Sequence, residues 1–245
     1  MNPINTLAAD TLYPDPEIPM TALILASLFF TGIHIGISGT RWRDVCIRHL
    51  GATGFRAGFS LLSLLGLIWL IKAYAQAPYL ETWGQWLAFK PVVAALMLVA
   101  FILLTFSITT PNPAAVGGER WLSQGAAAQG VYRITRHPML WATSLWALLH
   151  LLVNGDAGSL ILFGSLSVMT LMGTRSIDAK RRRAEPAAWA AYEAVTSNIP
   201  FQAIREGRNS FQWRELLNWR LAVAIFMYLA VMHFHARWFG VSPLF

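Results

Sequence analysis

Six stretches of this sequence approach the length needed to cross a lipid bilayer, and that constrains the fold before any motif is considered. They run Ile18–Ser38, Phe55–Ala75, Leu87–Thr109, Pro138–Val153, Ala157–Gly173 and Leu216–Phe239. A hydrocarbon core of ~30 Å asks for about 20 mostly apolar residues per helix. Charged residues make up 13% of the 245, against roughly 25% in a soluble domain, so an ordinary wetted surface cannot be built. Mean hydropathy is +0.47. The expected fold is all-α, a polytopic six-transmembrane helix bundle. The fourth and fifth runs are short and joined by Asn154, Gly155 and Asp156. That is turn chemistry, with Gly ending one helix and Asp capping the next, and it predicts a tight helical hairpin.

The basic residues orient the bundle. Arg41, Arg43, Arg48 and Arg56 follow the first run. Arg120, Arg133 and Arg136 follow the third. Arg175, Lys180, Arg181, Arg182, Arg183, Arg205, Arg208 and Arg214 follow the fifth, so 15 of the 19 Lys and Arg fall on one side. Lys and Arg mark cytoplasmic loops, which places both termini on the non-cytoplasmic side of a bacterial inner (cytoplasmic) membrane. The net charge of +7 is read the same way, with the bilayer as partner and no nucleic acid. Lys180–Arg183 is read as a solvated face or an anionic-lipid contact. Residues 1–19 are acidic and Pro-rich without a basic leader, and are expected as an extracytoplasmic segment before a single domain over 20–245. The single cysteine, Cys46, allows no internal disulfide and no Cys-based metal cluster.

Histidines are the candidates for chemistry. His34 lies near the end of the first run, His137 opens the fourth and His150 lies near its far end; His49 is in a basic loop, and His233 and His235 are near the end of the sixth. No zinc-protease motif, nucleophile elbow, phosphate loop or dinucleotide fingerprint is present. The runs carry almost no carboxylate, which leaves a proton relay little to work with. An ionisable group inside lipid is a functional hypothesis by default, although a neutral histidine can also simply hydrogen-bond a carbonyl. His49 reads as an ordinary loop residue, and His233 and His235 as interfacial beside Arg237 and Trp238. His34 and His150, set among Gly, Phe, Leu and Trp, are the candidates for catalytic or ligand roles. Imidazole in a dry aromatic bundle suits haem iron, which takes neutral histidine nitrogens axially, whereas zinc wants further ligands. Arg136, Arg41 and Arg43 are the candidates to pair with haem propionates at the cytoplasmic mouth.

The segments "GIHIGISGTRWRD", "PNPAAVGGERWL", "YRITRHPMLWATSLWALLHLLVNGD", "DAKRRRA" with "WAAYEAVTSNIPF", and "HARWFGVSPLF" resemble the NnrU family of bacterial membrane proteins, roughly from Met20 to Phe245. That family is related to the 15-cis-zeta-carotene isomerases. The resemblance implies haem b with histidine axial ligation, a reduced iron that permits isomerisation of a carotenoid-like polyene lipid, and His34 and His150 as the ligating histidines. It equally allows a non-enzymatic haem protein, a sensor, electron carrier or assembly factor, in nitrite and nitric oxide metabolism. At 1.5 Å per residue His34 stands about 10 Å from the cytoplasmic boundary and His150 about 18 Å. This mismatch makes His137 the leading substitute ligand, with His233 or His235 as others. A second resemblance, "RHP" at a helix start followed by a basic loop and "IPF", is to the isoprenylcysteine and phospholipid methyltransferases, which implies S-adenosylmethionine. Leu140 and Ala142 depart from that pattern, and Asp178 stands alone where two carboxylates are expected.

Overall fold

The computed structural model describes residues 17–115, 117–125 and 127–244. The expected N-terminal segment, 1–19, falls almost wholly outside them. Among the described residues the chain is helical, without a strand; one isolated bridge joins Glu81 and Asp156. Among the described residues, five helices are long and apolar enough to cross a membrane: Pro19–Ser38, Trp42–Gln76, Leu87–Thr109, Ala157–Ala184 and Trp219–Phe239. The fourth expected run also forms a helix, Pro138–Asn154, but a shorter one of 17 residues. Many large apolar side chains on these helices face outward, Leu28, Leu61, Ile108 and Phe226 among them. A lipid solvent, unlike water, exacts no penalty for that.

The chain divides into two compact units, Met1–Gln85 with Asn154–Ser165, and Trp86–Val153 with Leu166–Phe245. In the first, α1 (Glu17–Gly32) runs on into a π-helical segment, Ile33–Ser38, and α2 spans Trp42–Gln76. Leu23 and Ala26 of α1 and Leu70 and Ala73 of α2 are buried. Gly66 admits the closest approach, since a Cβ there would stand 2.9 Å from the Phe29 ring. α2 breaks at Gly51 (φ 71°, ψ 163°), a conformation open to glycine. The residues between the first two runs, expected as a loop, are therefore largely a helical arm before that break.

The Asn154–Asp156 turn forms as its residues predict. Gly155 has φ +59°, and its carbonyl accepts the N–H groups of Thr82, Trp83 and Gly84 at 2.9, 3.2 and 3.1 Å. Asp156 Oδ1 accepts the Ser159 N–H at 2.9 Å, capping the helix that follows.

The second unit contains α3 (Lys90–Thr109), α4 (Glu119–Ser123), α5 (Val131–Ile134), α6 (Pro138–Asn154), most of α7 (Ala157–Ala184), α8 (Pro186–Val195), α9 (Gln202–Arg205) and α10 (Trp219–Phe239). Tyr228 of α10 donates to the Ala94 carbonyl of α3 at 3.0 Å. Leu103, Phe106, Val131, Tyr132 and Ala142 form one core; Ala114, Leu122, Trp189 and Tyr192 form another. Between α6 and α7 a hydroxyl pair, Ser144 and Thr170 at 2.6 Å, satisfies two buried polar groups that would otherwise be costly.

Candidate functional site

Pro138 begins α6, as expected from a residue without an N–H whose fixed φ suits a helix's first turn. The residues just before it are extended and stapled to the segment after α8. Arg136 N–H donates to the Ser197 carbonyl at 2.9 Å, and Phe201 N–H to the Ile134 carbonyl at 2.8 Å. Thr135 Oγ1 and Trp141 Nε1 both donate to the Asn198 carbonyl, at 2.6 and 2.8 Å. These bonds fix Arg136 and His137 in the interior of the unit.

There they meet Asp178 of α7. Arg136 donates through Nε to Oδ1 at 2.9 Å and through Nη2 to Oδ2 at 2.6 Å. His137 Nε2 donates to Oδ1 at 2.7 Å, and Asn198 Nδ2 to Oδ2 at 3.1 Å. Each carboxylate oxygen thus has two donors, which fills its acceptor capacity. Arg136 Nη2 also reaches Glu193 of α8 at 3.0 Å, and Arg182 grips Glu193 bidentately at 2.9 and 2.7 Å. Burial pushes the His137 imidazole below its ordinary pKa, against the opposing pull of Asp178. A neutral ring donating from Nε2 suits that environment.

Beside this network lies a cavity of about 910 Å³. Arg136, Asp178, Arg182, Glu193 and Arg208 form its polar side; Val168, Leu171, Met172 and Ile199 form its apolar side. Its size falls in the range of small-molecule sites, roughly 300–1,000 Å³.

The other expected residues are distributed over both units. In the first, His34 sits inside the π-helical segment, with Nδ1 donating to the Phe30 carbonyl at 2.7 Å and the rings of Phe30 and Phe59 at 4.5 and 5.3 Å. π-segments recur at functional positions. Arg41 is exposed, Arg43 lies 3.5 Å from Asp44, and His49 is exposed on a helix instead of in a loop. In the second unit, His150 Nδ1 donates to the Trp146 carbonyl at 2.9 Å, and His235 Nδ1 to the Val241 carbonyl at 2.8 Å. Their rings are 6.4 Å apart and inclined by 24°. His233 is exposed and meets Phe234 edge-on. The three rings of His34, His150 and His235 share one arrangement, with Nδ1 bonded to a backbone carbonyl. The carbonyl bond is with the histidine's own helix in two of the three cases, and it orients the ring as bonds behind metal ligands do.

Asp178, Glu193, Arg182 and Asn198 were not among the expected site residues, and neither was the pairing of His235 with His150. Asp178 had a signal, since it is the one carboxylate in the 28 residues of α7, and an acid on an apolar helix is expensive. Glu193 and Asn198 lie in the segment "WAAYEAVTSNIPF" that carries part of the family resemblance, but nothing in it singled out these two residues. Arg181 also departs from the expected solvated face, whereas Arg182 is exposed even with Glu193 as its partner. Arg181 is 7% exposed and binds Glu119 at 2.7 Å.

No group of three or more His, Cys, Asp or Glu able to hold a metal ion occurs among the described residues. The NnrU protein family model matches residues 22–243. The chain is 27% identical over 209 residues to the chloroplastic 15-cis-zeta-carotene isomerase of Arabidopsis thaliana, a match that covers 82% of this chain and 54% of that relative. The chain therefore spans about half the length of the curated relative it matches. No solved structure matches it.

Proposed function

The chain belongs to the NnrU family, and from that premise we propose that it is an integral membrane cis–trans isomerase acting on a polyene lipid. The similarity to a carotene isomerase over 82% of the chain carries the reading, and the outward-facing apolar helices suit a lipid substrate. Isomerisation adds and removes no atoms. The π component of one double bond is uncoupled, the σ bond rotates and the π bond re-forms.

Haem b, which histidine side chains would hold, is the cofactor we propose. What supports it is the ligand chemistry: histidine nitrogen is a donor iron takes, and His34 in one unit, and His150 and His235 in the other, are each oriented by a carbonyl at Nδ1. Bound haem would supply a redox-active iron with a ligand it can exchange. The chain's own part is to orient these rings, His150 beside Trp146 and His235 beside Phe239, and to keep water from the reacting double bond. Six spans, with Pro138–Asn154 as the fourth, and both termini outside a bacterial inner membrane complete the proposal.

The test is to purify the full chain in mild detergent from haem-replete cells and supply a cis polyene under reducing conditions. A b-type Soret band and conversion to the trans product, lost together in H150A, are expected. Conversion that persists in a colourless preparation would refute the cofactor. A coloured protein that converts nothing would refute the isomerase.

A further inference from the structure

We propose that the cavity beside Arg136 binds the acidic head of a membrane amphiphile through Arg175, with the amphiphile's chain lying along α7. This goes beyond the isomerase reading and does not depend on it, since a polyene hydrocarbon has no charge for such a site to recognise.

The first observation is a charge left over. The carboxylates that line the cavity are already committed, Asp178 to Arg136 and His137, and Glu193 to Arg136 and Arg182. Arg208, the third cation of the wall, is engaged by Glu206 through Nε at 2.8 Å and by the carbonyls of Glu193, Ala194 and Thr196 through Nη1. Arg175 also lines the cavity, yet its guanidinium makes no ion pair or hydrogen bond with the described residues. A single negative charge balances it.

The second observation is the surface that leads to it. Val168, Leu171, Met172 and Arg175 succeed one another at helical spacing, so they share one face of α7, and all four line the cavity. Val168 is 51% exposed, Met172 44% and, from the opposite wall, Ile199 57%. The apolar wall therefore continues outward as an apolar surface. Arg175 is itself exposed, and a cation at one end of an apolar track fits a molecule with one acidic group, phosphate diester or carboxylate, on a hydrocarbon chain. A free phosphate would answer Arg175 alone and leave the track bare.

The experiment uses the full chain in a neutral detergent. Binding of phosphatidylglycerol and of phosphatidylcholine with identical acyl chains is compared by native mass spectrometry, with inorganic phosphate as competitor. The wild type is expected to prefer phosphatidylglycerol by about tenfold, the factor one charge-assisted hydrogen bond supplies. R175Q should erase that preference without moving the melting temperature, because the Arg175 guanidinium has no partner in the fold to lose. R183Q, on the same helix but outside the cavity, should keep it. No preference in the wild type, or an equal loss in R183Q, overturns the site as basic-surface attraction. Displacement of phosphatidylglycerol by inorganic phosphate at matched concentration overturns the amphiphile and leaves a free-anion site.

Discussion

Arg136 and Asp178, 42 residues apart in sequence, meet through two parallel hydrogen bonds of 2.9 and 2.6 Å, with side chains only 8% and 4% exposed. A pair so buried is worth little against an apolar replacement but a great deal against the loss of one partner. R136A, which leaves Asp178 and Glu193 without that guanidinium, is expected to cost about 3–5 kcal/mol. Denaturant or thermal unfolding in detergent measures it. A loss under about 1 kcal/mol, the scale of an exposed pair, would mean the cluster is wetted.

His137 gives this stability a pH dependence. The ring faces Asp178 and is under the influence of Arg136 and Glu193, and burial holds its folded-state pKa below the unfolded value. The unfolded chain therefore takes up the proton first. Stability from this group is full above about pH 6.5, the unfolded histidine value, and falls as the pH drops through the folded pKa. Melting temperatures of the wild type should decline from pH 7 to 5 more steeply than those of H137Q. Parallel slopes would assign the dependence elsewhere.

Gly155 offers a test of the hairpin turn. A Cβ there would stand 2.0 Å from the Gly84 carbonyl oxygen, at φ +59°. Backbone does not yield as a side-chain tip would, so G155A should fail to fold or lose at least about 2–3 kcal/mol, more than overpacking alone costs at its usual scale. G164A, with only a Leu160 methyl at 3.9 Å, is the control and should be neutral or stabilising in its helix. Equal melting temperatures for the two variants would contradict the turn.

The two histidines near the end of α10 should behave differently. His235 is oriented by the Val241 carbonyl and set beside His150, whereas His233 is exposed. Under the haem proposal, H235A should alter the Soret band and H233A should leave it unchanged. A shift in H233A alone would reverse the assignment.

The helices themselves were legible because composition and length decide them: a run of apolar residues in lipid has to close its own hydrogen bonds. Pro138 and the Asn154–Asp156 turn were legible for a local reason, since each acts on its own backbone. The network at Arg136 was not. It joins a helix entrance, α7 and α8, with partners 42 and 57 residues away, and sequence spacing carries no information on such pairings. The cluster Lys180–Arg183 shows the same limit. As sequence it is four like charges, while in the fold Arg181 turns to Glu119 and Arg182 to Glu193. The sequence also shows where the histidines lie but not the nitrogen each presents, because that depends on carbonyls whose positions the local backbone sets.

The π-helical segment Ile33–Ser38 has a geometric meaning for His34. Such a segment accommodates one residue more than an α-turn would, and each residue of an α-helix advances the azimuth by about 100°. Removing one residue, Ile35 for example, would relax the segment to an ordinary α-helix and swing the preceding chain by that angle against Thr40 and the start of α2. The direction in which His34 points is thus fixed by counting. A deletion that changes no other side chain would re-aim the imidazole as thoroughly as a substitution would remove it.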